Sequence, residues 1–286
     1  MTATVTDLFR YPVKSMGGHA LTAANVGAQG IAGDRCWTLR DDERGGIKGG
    51  KRFAAIMGMS ATLDTEPTAD TPSPAATIRL ADGTSTHTED PEVNAILSAA
   101  IGHPVSIWPL FPADQLEHYL RQPQAPDTDP EKALREVFAR TPQEPLPDLS
   151  AFPPELFTYE SPPGTYFDAF PLLVMSKSSL AAVEASRANS NFDVRRFRPN
   201  LLVDTPTTGF VEESWAGQSG RLGGAVLKFE MACPRCIMTT HGFADLPADT
   251  DIMRGLVEAN NGNLGIYARV LEPGLIRAGD TLTLDA

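Results

Sequence analysis

A β-rich α+β fold, built as a barrel or sandwich with a few peripheral helices, is the architecture the sequence predicts. Three observations point to it. Short strand-like runs recur along the chain, helical periodicity is confined to four brief stretches, and glycine and proline number 24 each. Those two residues make up about a sixth of the chain, above the ~12% of average usage, which favours turns and opposes a helical bundle.

Residues 2–8 alternate and are rich in Thr and Val, as in a half-buried strand. A second strand is expected at 36–39. Strands at 78–80 and 84–87 flank Asp82-Gly83, a dipeptide that favours a tight hairpin. Asp90 then caps a helix, Pro91 takes its first position, and Val93, Ile96, Leu97 and Ala100 share an apolar face ending at Gly102. Eleven prolines fall within residues 112–163, too many for a long helix or an inner strand. One helix survives there, capped by Asp129 and started by Pro130, so the stretch reads as a surface connection. Beyond it, the apolar run 171–175 suits a buried strand. A helix over 177–187 follows, then strands at 201–203, 225–231, 237–240, 264–270 and 281–284, with a helix over 252–260 among them. The expected organisation is a front domain (1–111), a Pro-rich connection with one helix (112–163) and a back domain (164–286).

Composition narrows the partners. The chain has 286 residues, 42% of them apolar, and its 36 acidic against 24 basic side chains leave a formal charge of −12. Such a surface repels phosphate backbones, so no nucleic-acid partner is expected. No window approaches the roughly 20 apolar residues of a membrane span, and residues 1–11 lack the basic and apolar regions of a secretory signal. The expectation is no membrane association and a cytoplasmic location. Three cysteines imply no disulfide framework.

The strongest chemical signal is Cys233-Pro234-Arg235-Cys236. Zinc would need four soft ligands, whereas only Cys36 and five scattered histidines remain. Thiol–disulfide exchange normally uses a pair that opens a helix, but this pair lies between a strand and the β-branched run Ile237, Thr239, Thr240. A single thiolate binding a metal inside a cofactor is a third possibility, with Arg235 favouring the charged sulfur. The fourth is two small buried, inert residues, the reading that spacing alone favours. A second signal is cationic: Lys14-Ser15, Arg35 and the trio Arg195, Arg196, Arg198 would form an anion-binding pit if the fold brought them together. Residues 45–52 have the glycine and lysine spacing of a phosphate loop but end in Arg52, and are read as a flexible loop. The histidines match no hydrolase triad. His241 is expected on an exposed turn near the cysteines.

Taken together, Tyr11-Pro12-Val13-Lys14-Ser15, Gly33-Asp34-Arg35, Phe197-Arg198-Pro199-Asn200, Cys233-Pro234-Arg235-Cys236, Thr239-Thr240 and the closing Gly265-Ile266-Tyr267 with Glu272-Pro273-Gly274 resemble the MOSC superfamily, in this order and over nearly the whole chain. The resemblance implies a MOSC N-terminal β-barrel-like domain packed on a MOSC β-barrel domain. It extends to the amidoxime-reducing components, which reduce N-hydroxylated compounds with electrons from partner proteins. Carried over by position, it implies the molybdenum cofactor (molybdenum–molybdopterin), with Cys236 as metal ligand and catalytic centre. Lys14, Ser15, Arg35, Arg198, Asn200, Arg235 and Tyr267 would hold the pterin and its phosphate. Cys233 would be a non-ligand thiol and Cys36 a packed strand residue.

The chain departs from that pattern in places. After Thr240 the relatives continue Val-Asp-Pro-Asp-Thr-Gly, where this chain has His241-Gly242-Phe243-Ala244-Asp245-Leu246-Pro247. Pro234 has no N–H to offer an anion. Ala169 and Phe170 replace small hydroxyl residues, and no cysteines remain for an iron–sulfur domain, so electrons are expected from an external electron-transfer protein. The expected function is an oxidoreductase acting on small N-oxygenated molecules. Two alternatives remain: a carrier of the cofactor, or of sulfur on Cys236, without turnover, and a binding module that has lost the cofactor.

Overall fold

The structure is a computed structural model that describes residues 2–123 and 127–285. Pro126 of the Pro-rich connection lies outside them. Seven strands close a barrel: β1 (Thr2–Arg10), β2 (Leu172–Ser176), β3 (Leu201–Asp204), β4 (Ser219–Leu222), β5 (Ala225–Pro234), β6 (Asn263–Glu272) and β7 (Thr281–Leu284). Around it the order is β3, β2, β6, β5, β4, β7, β1, and β1 returns to β3, pairing Thr4 with Asp204 and Leu8 with Leu201. Closure leaves no free edge among the seven. Alternation in β1, shifted by a bulge between Val5 and Asp7, sends Ala3, Val5 and Leu8 inward, where they meet Val174, Val203, Leu227, Phe229 and Ile266.

The chain's first strand therefore belongs to a barrel whose other six strands all come from Leu172 onward. The interleaving goes further, because Gly274–Arg277 pairs with Ala23–Gly27 of the front. The front has its own core around Val13, Met16, Leu39, Ile56, Ile78 and Leu97. Trp37–Asp41 lies there between Val105–Pro109 and Ile47–Lys48, and Ser60–Leu63, Ala76–Arg79 and Ser85–His87 form a meander. On the barrel's flank, helices Lys177–Ser186 and Asp251–Asn260 pack through Val183, Ile252 and Leu256.

Several expectations need correction. The helix after Asp90 starts at Val93, because the Asp90 carboxylate accepts from Glu92 N in a preceding turn. Residues 237–240 are a 3-10 turn rather than a strand. The hydroxyls of Thr239 and Thr240 donate back to the carbonyls of Cys236 and Ile237 at 3.0 and 2.8 Å, which overrides their β propensity. Asp129 does cap Pro130–Val137, but the connection carries two further single turns, Leu116–Tyr119 and Glu155–Thr158. It also reaches inward: His118, Tyr119 and Tyr166 are buried beneath it.

Candidate functional site

The backbone leaves β1 at Arg10 and is held at once. Tyr11 N donates to Asp34 Oδ1 at 2.7 Å, Arg35 N to Tyr11 O, and Lys14 N to Trp37 O. This latch forces Ser15 and Arg35 into the left-handed region, at φ 70° and 50°, and Arg198 sits there too, at 55°. Non-glycine residues in that region cost on the order of 1 kcal/mol each and persist where surrounding structure enforces them. Three of the seven residues expected to hold the pterin share this backbone strain.

Lys14 is buried, and its Nζ donates to Tyr166 O at 2.7 Å and to Asp168 Oδ1 at 2.5 Å. Lys51, more exposed, approaches Asp168 Oδ2 at 2.8 Å. Burial lowers the Lys14 pKa from its usual value. For Asp168, burial acts upward, but the two ammonium groups outweigh it and hold the carboxyl well below the usual range. Asp168 thus stays ionised between two lysines at the mouth of the site.

Beside them, the Tyr11 ring has two guanidinium groups over it, Arg198 at 4.3 Å and Arg35 at 5.3 Å from its centre. Arg35 pairs with Asp34, whose Oδ2 also accepts from Asn200 Nδ2 at 3.0 Å. Asn200 accepts from Leu173 N through its Oδ1, so its amide is spent on backbone and on orienting Asp34. Arg198 Nη1 donates to Met16 O, while Nη2 is buried with no partner. Burial first, and then Arg35, bring the Arg198 pKa down to about 10, so it remains a cation at neutral pH.

On the cysteine side, Arg235 donates from Nη1 to Cys233 Sγ at 3.0 Å and from Nη2 to Phe197 O at 2.6 Å, leaving Nε buried and unpartnered. Cys233 is enclosed, and burial raises its pKa, with Tyr267 and Arg235 beside it. Cys236 is only partly buried. Lys51 is its charged neighbour: burial works against that cation, but Asp168 and Cys236 raise its pKa. Among the described residues, no group of three or more His, Cys, Asp or Glu side chains is arranged to hold a metal ion. A metal at Cys236 would therefore bring its remaining ligands with it.

The loop 45–52, expected to be free, is packed. A Cβ on Gly49 would stand 2.4 Å from Ser15 Oγ, and one on Gly50 would stand 2.9 Å from Met238 Cε. His241 is half-buried rather than exposed, with Nε2 3.0 Å from Gly50 O. The fold thus links Lys14, Ser15 and Arg35 of the front with Arg198, Asn200, Arg235, Tyr267 and Cys236 of the back. Sequence reading missed Asp168, whose pairing with Lys14 and Lys51 runs across the Pro-rich segment.

Family models match on both sides of that connection: the MOSC N-terminal beta barrel domain over residues 2–101 and the MOSC domain over residues 163–283. The chain is a MOSC protein. Its curated relatives include mitochondrial amidoxime reducing component 2 of Homo sapiens, 33% identical over 40% of this chain and 37% of that protein. Mitochondrial amidoxime-reducing component 1 of Mus musculus is 31% identical over 42% of this chain and 38% of that protein. The match thus spans little more than a third of those relatives' length. Among solved structures, the YuaD protein of Bacillus subtilis aligns over 99% of this chain and 96% of its own, with 12% identity and a TM-score of 0.45. Among the described residues of this MOSC protein, no helix is long and apolar enough to cross a membrane.

Proposed function

We propose that this MOSC protein is a cytoplasmic molybdenum-cofactor oxidoreductase that reduces N-hydroxylated compounds such as amidoximes and hydroxylamines, with Cys236 as the metal ligand. The observation that carries the reading is a partly open thiol next to a cationic pit that has spare donors. The orphaned Arg198 Nη2 and Arg235 Nε are what an anionic pterin phosphate and the pterin's acceptor atoms would satisfy. The donor set fits as well, since one soft sulfur suits a metal already carried by two dithiolene sulfurs. The amidoxime-reducing relatives support the reaction class.

When bound at Cys236, the cofactor would supply two-electron redox chemistry for an N–OH substrate. The net change is reductive: an amidoxime, two electrons and two protons give an amidine and water. An external electron-transfer protein supplies the electrons. The chain's own residues bind and orient. Lys14, Ser15, Arg35 and Arg198 form the anion clamp, Asn200 holds Asp34 against Arg35, and Arg235 and Tyr267 line the cysteine side. Asp168 keeps Lys14 and Lys51 charged and aligned.

The test is elemental analysis and pterin fluorescence on protein from a molybdate-supplied host. Cys236→Ser is expected to abolish molybdenum retention and Cys233→Ser to leave most of it. Equal metal in wild type and Cys236→Ser would overturn the assignment. Benzamidoxime turnover with a chemical reductant separates the enzyme from a carrier, which would retain the cofactor without turnover.

A further inference from the structure

A groove runs along the seam between the front and back halves. It comprises two cavities of about 480 and 520 Å³ that have Gly58, Met59, Leu80, Ala81, Phe243 and Ala244 in common. Such volumes suit small molecules. The larger cavity ends at Tyr11 and Arg198, whose unpartnered Nη2 belongs to a side chain more than nine-tenths buried. It adjoins the cysteine segment through Gly50, whose added Cβ would touch both Met238 and the groove residue Met57.

The wall of this groove is the turn around Phe243, and it is densely hydrogen-bonded. Phe243 and Leu246 exchange two backbone hydrogen bonds, at 2.9 and 2.8 Å, around Ala244 at φ 48°. Gly242 permits the approach, because a Cβ there would lie 2.7 Å from Ala248 N. Beneath it Arg196, fully buried, donates to four carbonyls: Asn191, Thr239, His241 and Pro247. Its guanidinium lies 5.8 Å from the Phe243 ring. A buried arginine spent wholly on loop carbonyls fixes where that loop runs.

We infer that the Phe243 turn is the specificity wall of a substrate groove for flat, mainly apolar N-oxygenated molecules, with Phe243 the selecting residue and Arg196 its positioning residue. The inference rests on the reductase reading for the identity of the substrate. The lining around Met57, Met59, Leu80 and Phe243 offers an apolar bed, and neighbouring Arg195 is already paired with Asp193 and Asp245. A flat ligand laid on that bed, with its N–O end towards the cysteine segment beyond Gly50, matches those surfaces and leaves Arg198 to the cofactor.

Benzamidoxime and N-methylhydroxylamine, with and without a ring, are the probes. In Phe243→Ala, KM for benzamidoxime is expected to rise about tenfold while kcat, and KM for N-methylhydroxylamine, stay within about twofold. Arg196→Met is expected to reproduce this selectivity change and Arg196→Lys to restore part of it. Ala244→Gly guards against misfolding of the arginine variants, with the same pattern at smaller size. Calorimetric titration of benzamidoxime into protein made without molybdate gives a readout independent of turnover, and its Kd is expected to shift like KM. Absence of binding to the wild type, or equal KM changes for both probes, would overturn the groove. Binding that weakens in Phe243→Ala, in a wild type that retains molybdenum but reduces neither probe, would retire the reductase reading and keep the groove.

Discussion

The two flanks of the cationic site treat charge in opposite ways. At the mouth, Lys14 and Lys51 are both matched by one carboxylate, that of Asp168. Inside, Arg198 and Arg235 are more deeply enclosed than Lys51 and yet keep donor atoms without partners. A buried unsatisfied donor costs about 1–3 kcal/mol, so the interior flank is destabilising as it stands, whereas the mouth is electrostatically closed. The difference separates two tasks. The mouth holds the site's shape, and the interior reserves its capacity for something the chain does not itself contain.

Replacing Arg198 is the sharpest way to break that comparison. In Arg198→Ala the retained molybdopterin, read by pterin fluorescence after gel filtration, is expected to fall at least about tenfold, because a charge-assisted bond to an anion is lost. The thermal midpoint is expected to stay nearly unchanged, since removing an unpartnered buried donor offsets the lost hydrogen bond to Met16 O, while the left-handed backbone strain is the same for alanine. Undiminished pterin content would count against the clamp.

A second effect, smaller and pH-dependent, tests the connection beside the mouth. Arg40 Nη1 donates to His118 Nδ1 at 2.9 Å, and Tyr166 spends its hydroxyl proton on Pro109 O at 2.7 Å. His118 Nε2, 2.7 Å from that hydroxyl, must therefore be the donor, so the ring is neutral in the fold. Burial first, and Arg40 second, bring its pKa down to about 4, against 6.5 when unfolded. The folded form thus resists a proton that the unfolded chain accepts, so stability falls as pH drops from about 6.5 towards 4 and levels off below that. The contribution is on the order of 2 kcal/mol. Urea midpoints at pH 7.5 and 4.5 are expected to differ more in wild type than in His118→Gln; matching differences would remove His118 from the account.

The sequence made one side of this site legible and hid the other. Lys14, Arg35 and Arg235 announce themselves because a cation beside Ser, Asp or Cys in a short tag is a local pattern, and Arg198 because it belongs to a cluster of three arginines. Asp168 carries no such mark: its meaning comes from Lys14 and Lys51, brought to it across the connection. Arg196 looked like one more member of an arginine cluster, yet its partners are carbonyls, which every residue has. The turn at 237–240 was misread because β-branched side chains suggest a strand, and only the Thr hydroxyls' return to Cys236 and Ile237 decides otherwise. The β-rich architecture followed from strand-like runs and turn residues, but β1 closing a barrel with strands from the far end of the chain is a long-range pairing that alternation cannot specify.

Asp168→Asn gives the smallest effect and the one that sharpens the contrast most. The variant keeps the shape of the side chain but removes the charge that holds Lys14 inside the protein. Asp168 is itself half-exposed, so solvent screens much of the loss, and about 1 kcal/mol of stability is the expected cost. Because the Asp168 carboxyl lies below its unfolded pKa, its contribution is present above pH ~4 and fades as pH falls through the folded value; Asp168→Asn should therefore destabilise at pH 7 and converge with wild type in acid. Pterin retention is expected to stay within about twofold of wild type, since Lys14 keeps its bond to Tyr166 O and neither orphaned arginine donor touches Asp168. Destabilisation without cofactor loss here, set against cofactor loss without destabilisation in Arg198→Ala, would establish the two flanks as separate devices. A variant at Asp168 that loses the pterin as completely as one at Arg198 would make them a single electrostatic unit.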